Sequence, residues 1–181
     1  MPDAPGLELI RGEIEQDHPG AVLDTSFDRG QAALVVDPAQ IVAVLTWLRD
    51  APGQGYRFLS SLHAADYLPA EPRFGVHYEL LNRDRVERIR LKAMLSDPAG
   101  ANGGGDALPE IDSCVELFPT AEFQEREVYD FFGIVFDGHP DLTRILMPED
   151  YVGWPQRRDF PIGGEPVLFT HNEIETPRWF E

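Results

Sequence analysis

The densest set of chemically capable side chains runs from Glu125 to Asp159. It holds Glu125, Arg126, Glu127, Asp130, His139, Asp141, Arg144, Glu149, Asp150, Arg157, Arg158 and Asp159. Three kinds of chemistry compete for this cluster. A metal site would use His139 with Asp141 two positions on, or the adjacent Glu149 and Asp150. Stable transition-metal sites take three or four such ligands, however, and the next histidine, His171, is 32 residues away. An acid–base site would use His139 beside the carboxylates. No GxGxxG, phosphate loop or nucleophile elbow accompanies it to hold a substrate, and a histidine before proline serves equally as an extended turn anchor. The third reading is structural. Arg126 and Asp130 stand four apart and can pair along a helix. Asp137-Gly138 makes a turn, and His139-Pro140-Asp141 fixes a bend. Arg157 and Arg158 can fork onto carboxylates of this chain or of a partner. Physical chemistry alone favours this third reading, an ionic latch rather than a reactive centre.

The elements that position the cluster follow from local patterns. Apolar runs over Ala21–Phe27 and Gln31–Val36 flank Asp28-Arg29-Gly30, which has hairpin-turn chemistry. Asp37-Pro38 is a helix start, and Ile41, Val44, Leu45 and Leu48 predict a helix over 38–50. Strands are expected over 56–62, 74–81 and 86–95. In the last, Ile89, Leu91 and Ala93 alternate with Arg88, Arg90 and Lys92. Residues 83–92 form the one basic patch of the chain, read either as the solvated face of an edge strand or as a contact for an acidic neighbour. Residues 97–109 contain Gly-Gly-Gly and two prolines and read as a flexible loop. A strand over 111–118 should follow, an antiparallel neighbour of the preceding one. A second helix begins near Pro119-Thr120 and ends at Gly133. Beyond it, prolines and glycines break the chain while aromatic residues persist. A tail of that kind needs a surface to lie against, since ordering costs about 1–2 kcal/mol per residue. The expected architecture is α+β: a small mixed, mainly antiparallel sheet with two or three helices, then an extended C-terminal tail. Residues 1–118 would be the platform, 119–162 the signature helix and ionic turn, and 163–181 a docking tail.

Composition bounds the partners. The 181 residues carry a formal net charge of -17, so a phosphate backbone or an anionic lipid surface would be repelled. One cysteine, Cys114, cannot by itself build a disulfide, a thiolate zinc site or an iron–sulfur cluster; it is expected in a buried strand. No stretch approaches 18 apolar residues, and the first residues lack the pattern of a signal peptide. The expectation is a protein without a membrane span, on the cytoplasmic side.

The residues themselves also resemble a known family. Glu125-Arg126-Glu127-Val128-Tyr129-Asp130-Phe131-Phe132-Gly133-Ile134 and Phe136-Asp137-Gly138-His139-Pro140-Asp141-Leu142 are similar to the signature of the C subunit of respiratory NADH:quinone oxidoreductase (complex I), the 30 kDa subunit family. The likeness continues through Arg144–Asp150, Gly153-Trp154-Pro155 and Arg157–Pro161. Departures are Thr143 in place of a basic residue, Phe123 and Tyr151 where tryptophan is common, and Arg158 where lysine is commoner. The resemblance implies a member of the peripheral arm that binds no cofactor itself. FMN and iron–sulfur clusters would belong to partner subunits, and quinone to neighbouring ones. It implies docking chiefly to the D subunit, which helps build the quinone site, with the B and I subunits nearby, on the cytoplasmic side of the inner membrane. Gly138, Pro140, Pro148, Gly153, Pro155 and Phe160 then join the charged cluster as candidate latch or partner-interface residues. A homologous component of an energy-converting hydrogenase, or of another donor:quinone oxidoreductase, is the second reading. A free-standing acid–base enzyme using His139 is the third.

Overall fold

The computed structural model describes residues 2–98 and 107–161. The chain opens with a helix that the sequence reading does not anticipate, α1 (Ala4–Asp17). The Asp3 carboxylate caps it by accepting from the Gly6 N–H at 2.8 Å, and a proline lies in the first turn. Leu7, Ile10 and Ile14 form its buried stripe. β1 (Val22–Asp28) and β2 (Gln31–Val36) then make the expected hairpin. Its two turn residues, Arg29 and Gly30, both have positive φ, 51° and 76°. A two-residue turn of that kind matches the twist of the flanking strands.

The helix expected over 38–50 splits in two. The Asp37 side chain accepts from the Ala39 N–H, and Pro38–Gln40 tighten into a 3-10 turn. α2 (Ile41–Asp50) follows and buries Ile41, Val44, Leu45 and Leu48. A meander of β3 (Phe58–Asp66), β4 (Phe74–Asn82) and β5 (Glu87–Leu95) completes a five-stranded sheet of order β1-β2-β5-β4-β3. All its pairings are antiparallel except β2 with β5. This is the mixed, mainly antiparallel α+β architecture that the pattern implies.

Two expectations fail. First, β5 is not an edge strand. The meander joins the hairpin through β5, which leaves β1 and β3 at the edges and β5 in the centre. Its alternation is as read, with Ile89, Leu91 and Ala93 buried. Second, the strand expected over 111–118 is only β6 (Glu110–Asp112), and it does not pair with β5. The chain turns at Cys114, whose carbonyl accepts from the N–H groups of both Leu117 and Phe118. Cys114 is therefore buried in a turn rather than in a strand. α3 (Ala121–Phe132) comes next, then β7 (Val135–Asp137), which pairs parallel with β6. The intervening helix is the crossover that a parallel pair requires.

α3 runs along the free edge of β3. The Thr120 hydroxyl donates to the Leu59 carbonyl at 3.2 Å, and the Gln124 side chain accepts from the Leu62 N–H. Backbone groups of the edge strand are thus met by side chains. Gly133 ends the helix with φ 68°. No further helix follows among the described residues, in keeping with the prolines. The tail expected over 163–181, and most of the loop at 97–109, lie outside the described residues.

The hairpin turn gives a test. Arg29 holds a left-handed conformation that costs an ordinary L-residue about 1–2 kcal/mol and costs asparagine less. Arg29→Asn should therefore raise the melting temperature by a few degrees, read by thermal denaturation of the full chain.

Candidate functional site

The signature segment is organised around two charged centres. The first is Asp130, on the last turn of α3. Its side chain is fully buried. One oxygen accepts from Arg144 Nη1 at 2.7 Å, and the other accepts the backbone N–H groups of Ile145, Leu146 and Met147 at 3.1, 2.7 and 2.8 Å. Burial alone would raise its pKa, but the Met147, Leu146 and Ile145 donors and the Arg144 guanidinium outweigh it and hold the carboxyl below its usual range. Arg144 also donates to the carbonyls of Asp130 and Gly153, and its guanidinium lies 4.6 Å from the Trp154 ring centroid.

The i,i+4 pairing of Arg126 with Asp130 is therefore not formed. Arg126 instead donates to the Thr143 carbonyl and hydroxyl and to the Arg144 carbonyl. Arg144 wins because the loop returns across α3 and brings a guanidinium and three N–H donors together. Thr143, the departure from the expected basic pair, accepts from Arg126 through its hydroxyl as well as its backbone.

The second centre is Arg73, which the sequence reading does not single out. Its side chain is fully buried, and it grips three carboxylates. Nε and Nη2 bind Asp66 at 3.0 and 2.7 Å, Nη1 binds Asp97 at 2.8 Å, and Nη2 also binds Asp159 at 2.7 Å. Burial pushes Asp66 up, but Arg73 and the Arg158 and Leu68 N–H groups together pull it below the usual carboxylate range. Asp159 is held low chiefly by Arg73. No local spacing links positions 66, 73, 97 and 159, so only the fold brings them together. The single legible sign is a lone arginine between Pro72 and Phe74.

Among the described residues, neither Arg157 nor Arg158 forks its guanidinium onto a carboxylate of this chain. Arg157 Nε donates to the Phe132 carbonyl at 2.7 Å, and its guanidinium lies 4.9 Å from the centroid of the Phe74 ring. Arg73 approaches the same ring at 4.7 Å. Arg158 uses its backbone N–H on Asp66, the last residue of β3, and its guanidinium on the Leu68 carbonyl in the turn that follows.

The remaining candidates divide cleanly. Glu125 is buried and accepts from Ser113 Oγ at 2.6 Å and the Cys114 N–H at 2.8 Å. Burial raises its pKa against those bonds. The Asp141 N–H donates to His139 Nδ1 at 3.0 Å, which leaves Nε2 as the donor to the Glu122 carbonyl at 3.0 Å. Both ring nitrogens are thus engaged with backbone. Gly138, at φ 79°, makes the turn before it, with Pro140 exposed beyond. The Pro148 carbonyl accepts from the Tyr151 N–H. Gly133 and Gly153 permit close stacking: a Cβ on Gly133 would lie 2.5 Å from Trp154, and one on Gly153 would lie 2.7 Å from Phe160. Pro155 follows Trp154 in the same half-buried stretch. Glu127, Glu149 and Asp150 are exposed, and their side chains make no hydrogen bond among the described residues. No group of three or more His, Cys, Asp or Glu side chains with metal-site geometry occurs among the described residues.

While these polar groups turn inward, apolar ones turn outward. Ile145, Leu146 and Val152 of the returning loop and Phe123 of α3 are 37, 60, 84 and 58% exposed. Ile145 and Leu146 stand side by side, and exposed apolar side chains grouped together mark interaction surfaces.

Comparison with known proteins decides the family. A family described as the respiratory-chain NADH dehydrogenase 30 kDa subunit matches residues 34–166. The chain belongs to that family. It is 46% identical over 146 residues to the C subunit of an NADH-quinone oxidoreductase of Herpetosiphon aurantiacus, covering 81% of this chain and 80% of that one. It is also 46% identical over 155 residues to the equivalent protein of Roseiflexus castenholzii, covering 86% and 84%. Among solved structures, the fold matches a chain of the membrane-bound sulfane sulfur reductase, an archaeal respiratory membrane complex. The TM-score is 0.64 at 23% identity, over 86% of this chain and 85% of that one.

Two substitutions test the geometry. Arg73→Met leaves three carboxylates without their cation, two of them buried, and should cost about 3–5 kcal/mol in chemical denaturation of the full chain. Glu125→Gln tests the buried acid. A carboxyl whose folded pKa lies above its unfolded value stabilises below the unfolded value, and that stability is lost as pH rises through the folded one. The melting temperature should thus fall between pH 5 and 8 by less in Glu125→Gln than in the natural chain.

Proposed function

We propose that this chain is a docking and scaffold subunit of the peripheral arm of a proton-pumping NADH:quinone oxidoreductase. One observation carries the reading: Asp130, Glu125, Arg144 and His139 are consumed inside the chain, while Ile145, Leu146 and Val152 of the same segment face out. Asp130, Glu125 and His139 hold backbone in place, and none is left with an open acceptor or donor aimed at a cavity. That argues against a free-standing acid–base enzyme built on His139. The loop they fix presents Ile145, Leu146 and Val152 as a ready-made apolar contact. In this reading the contact is made chiefly with the D subunit, with the B and I subunits close by, and residues 163–181 extend the docked area.

Electron transfer then belongs to FMN and iron–sulfur clusters in the partner subunits, and quinone is bound by neighbours. The chain contributes no catalytic group of its own. No helix of the described residues is long and apolar enough to cross a membrane. A peripheral place on the cytoplasmic face of the inner membrane, held through the complex, fits that. The two relatives at 46% identity favour quinone and NADH over the hydrogenase-type assembly, because their names carry those substrates.

Leu146→Asp adds a charge to the exposed apolar contact without disturbing the Asp130 cage, which uses only the Leu146 backbone. It should leave the melting temperature of the full chain unchanged and lower co-purification with the D subunit severalfold. Unchanged recovery of the complex would overturn the docking role of this loop. NADH:quinone turnover by the isolated chain would overturn the scaffold reading.

A further inference from the structure

The basic patch of the sequence takes on a different meaning once β5 is central. Charge on an edge strand discourages unwanted pairing. A strand hydrogen-bonded on both sides has no such need, so Arg88, Arg90 and Lys92 call for another explanation. All three project from the sheet face opposite Ile89, Leu91 and Ala93. The register defines their neighbours. Arg88 faces Leu81, which in turn faces Phe58; Arg90 faces Glu79 on one side and Ala33 on the other; Lys92 faces His77 and Val35.

No helix or second sheet covers this face among the described residues, although the Tyr67 side chain lies over part of it with its hydroxyl 3.1 Å from His77 Nε2. The buried stripes of α1 and α2 join the core on the opposite face, and α3 follows the edge of β3. Yet it is not an ordinary solvated face, which would read as uniformly polar. Phe58 is 38% exposed, and Leu81 and Val35 are only half-buried. At its centre His77 stacks on the exposed His63 with ring centroids 5.1 Å apart and planes within 10°. His77 is buried, burial pushes its pKa down to about 4, and its Nδ1 has no partner among the described residues. Burial lowers the pKa of His63 as well, so the stack is uncharged at physiological pH, and the ring it offers to the outside is that of His63.

The charge on this face is lopsided. Glu79 is neutralised by its ion pair with Arg90. Arg88 and Lys92 form no ion pair among the described residues, although Lys92 lies 4.2 Å from the Tyr67 ring centroid. The acidic side chains of the same face, Asp24 and Asp28, sit on edge strand β1, two strands away. On a chain of net charge -17, this leaves a positive stripe along β5, bordered by apolar and ring surface on β3 and β4.

We propose that this open sheet face is a second docking surface, covered in the assembled complex by an acidic segment of a neighbouring subunit. Its carboxylates lie over Arg88 and Lys92, and its apolar side chains lie on Phe58, Leu81 and the histidine stack. Charge pairs at such a margin speed association and make it salt-dependent. The inference rests on the reading of the chain as part of a larger assembly, and it concerns a different face from the Ile145–Leu146 loop.

The test places a photoreactive phenylalanine derivative at Phe58 and irradiates the purified whole complex. A cross-link to a net-negative peptide of another subunit is the expected result. No cross-link, a cross-link only to residues 99–106 or 162–181 of this chain or to a second copy of it, or one to a neutral or basic peptide would each overturn the proposal. As a companion, the double variant Arg88→Glu, Lys92→Glu should melt as the natural chain does and associate about tenfold more slowly at low salt. An unchanged rate would count against the acidic partner. Loss of assembly in Leu146→Asp together with no cross-link at Phe58 would sink this face and spare the loop. The reverse pair of results would spare this face alone.

Discussion

The end of the signature is pinned to the sheet by one buried guanidinium. Arg73, at the entrance to β4, is out of contact with water and holds carboxylates from three separate parts of the chain. Asp66 ends β3, Asp97 follows β5, and Asp159 belongs to the signature, 86 positions beyond the arginine. A buried cation without such partners would cost several kcal/mol, and so would the two fully buried carboxylates without the cation. The cluster is therefore all or none, and the signature segment is held against the sheet as one body. Around it the ties multiply: the Arg158 N–H reaches Asp66, Arg157 reaches the end of α3, and both arginines 73 and 157 flank the Phe74 ring.

Local rules explain what is legible in the sequence. The hairpin at Asp28–Gly30, the helix stripe of Ile41, Val44, Leu45 and Leu48, the alternation along β5 and the Gly133 stop each depend on a few adjacent residues, so each can be read without the fold. α1 is legible in principle, since Asp3 and Pro5 start a helix whose apolar positions are 7, 10 and 14. Leu9, which points to solvent at 69% exposure, blurs that stripe. What escapes is everything set by separation in the chain. β6 looks like a partner for β5 because a loop joins them, but the α3 crossover gives it to β7. Asp130 looks like a partner for Arg126 at helical spacing, yet a loop 14 residues on supplies Arg144 and three N–H donors.

The candidate cluster around His139 shows the same division. Residue types place acids, bases and a histidine within one segment, which is equally the composition of an active site and of a tightly knotted loop. Only geometry separates them. A histidine with both nitrogens on backbone and an aspartate whose two oxygens accept from Arg144 and three amides are groups already spent. The family assignment, by contrast, needs no geometry, because it rests on the identity and order of residues that the fold keeps together.

The Asp130 cage has one more consequence, for the life of the protein before it meets its partners. An exposed stretch such as Ile145-Leu146 is ordinarily hazardous, because apolar side chains beside free amides invite another chain to add as a strand. Here the N–H groups of residues 145, 146 and 147 all point at one carboxylate oxygen. The loop can offer its side chains to a shaped surface, but it has no backbone donors there with which to template a growing sheet. A single buried acid thus takes up the backbone donors through which this exposed loop could otherwise recruit a strand.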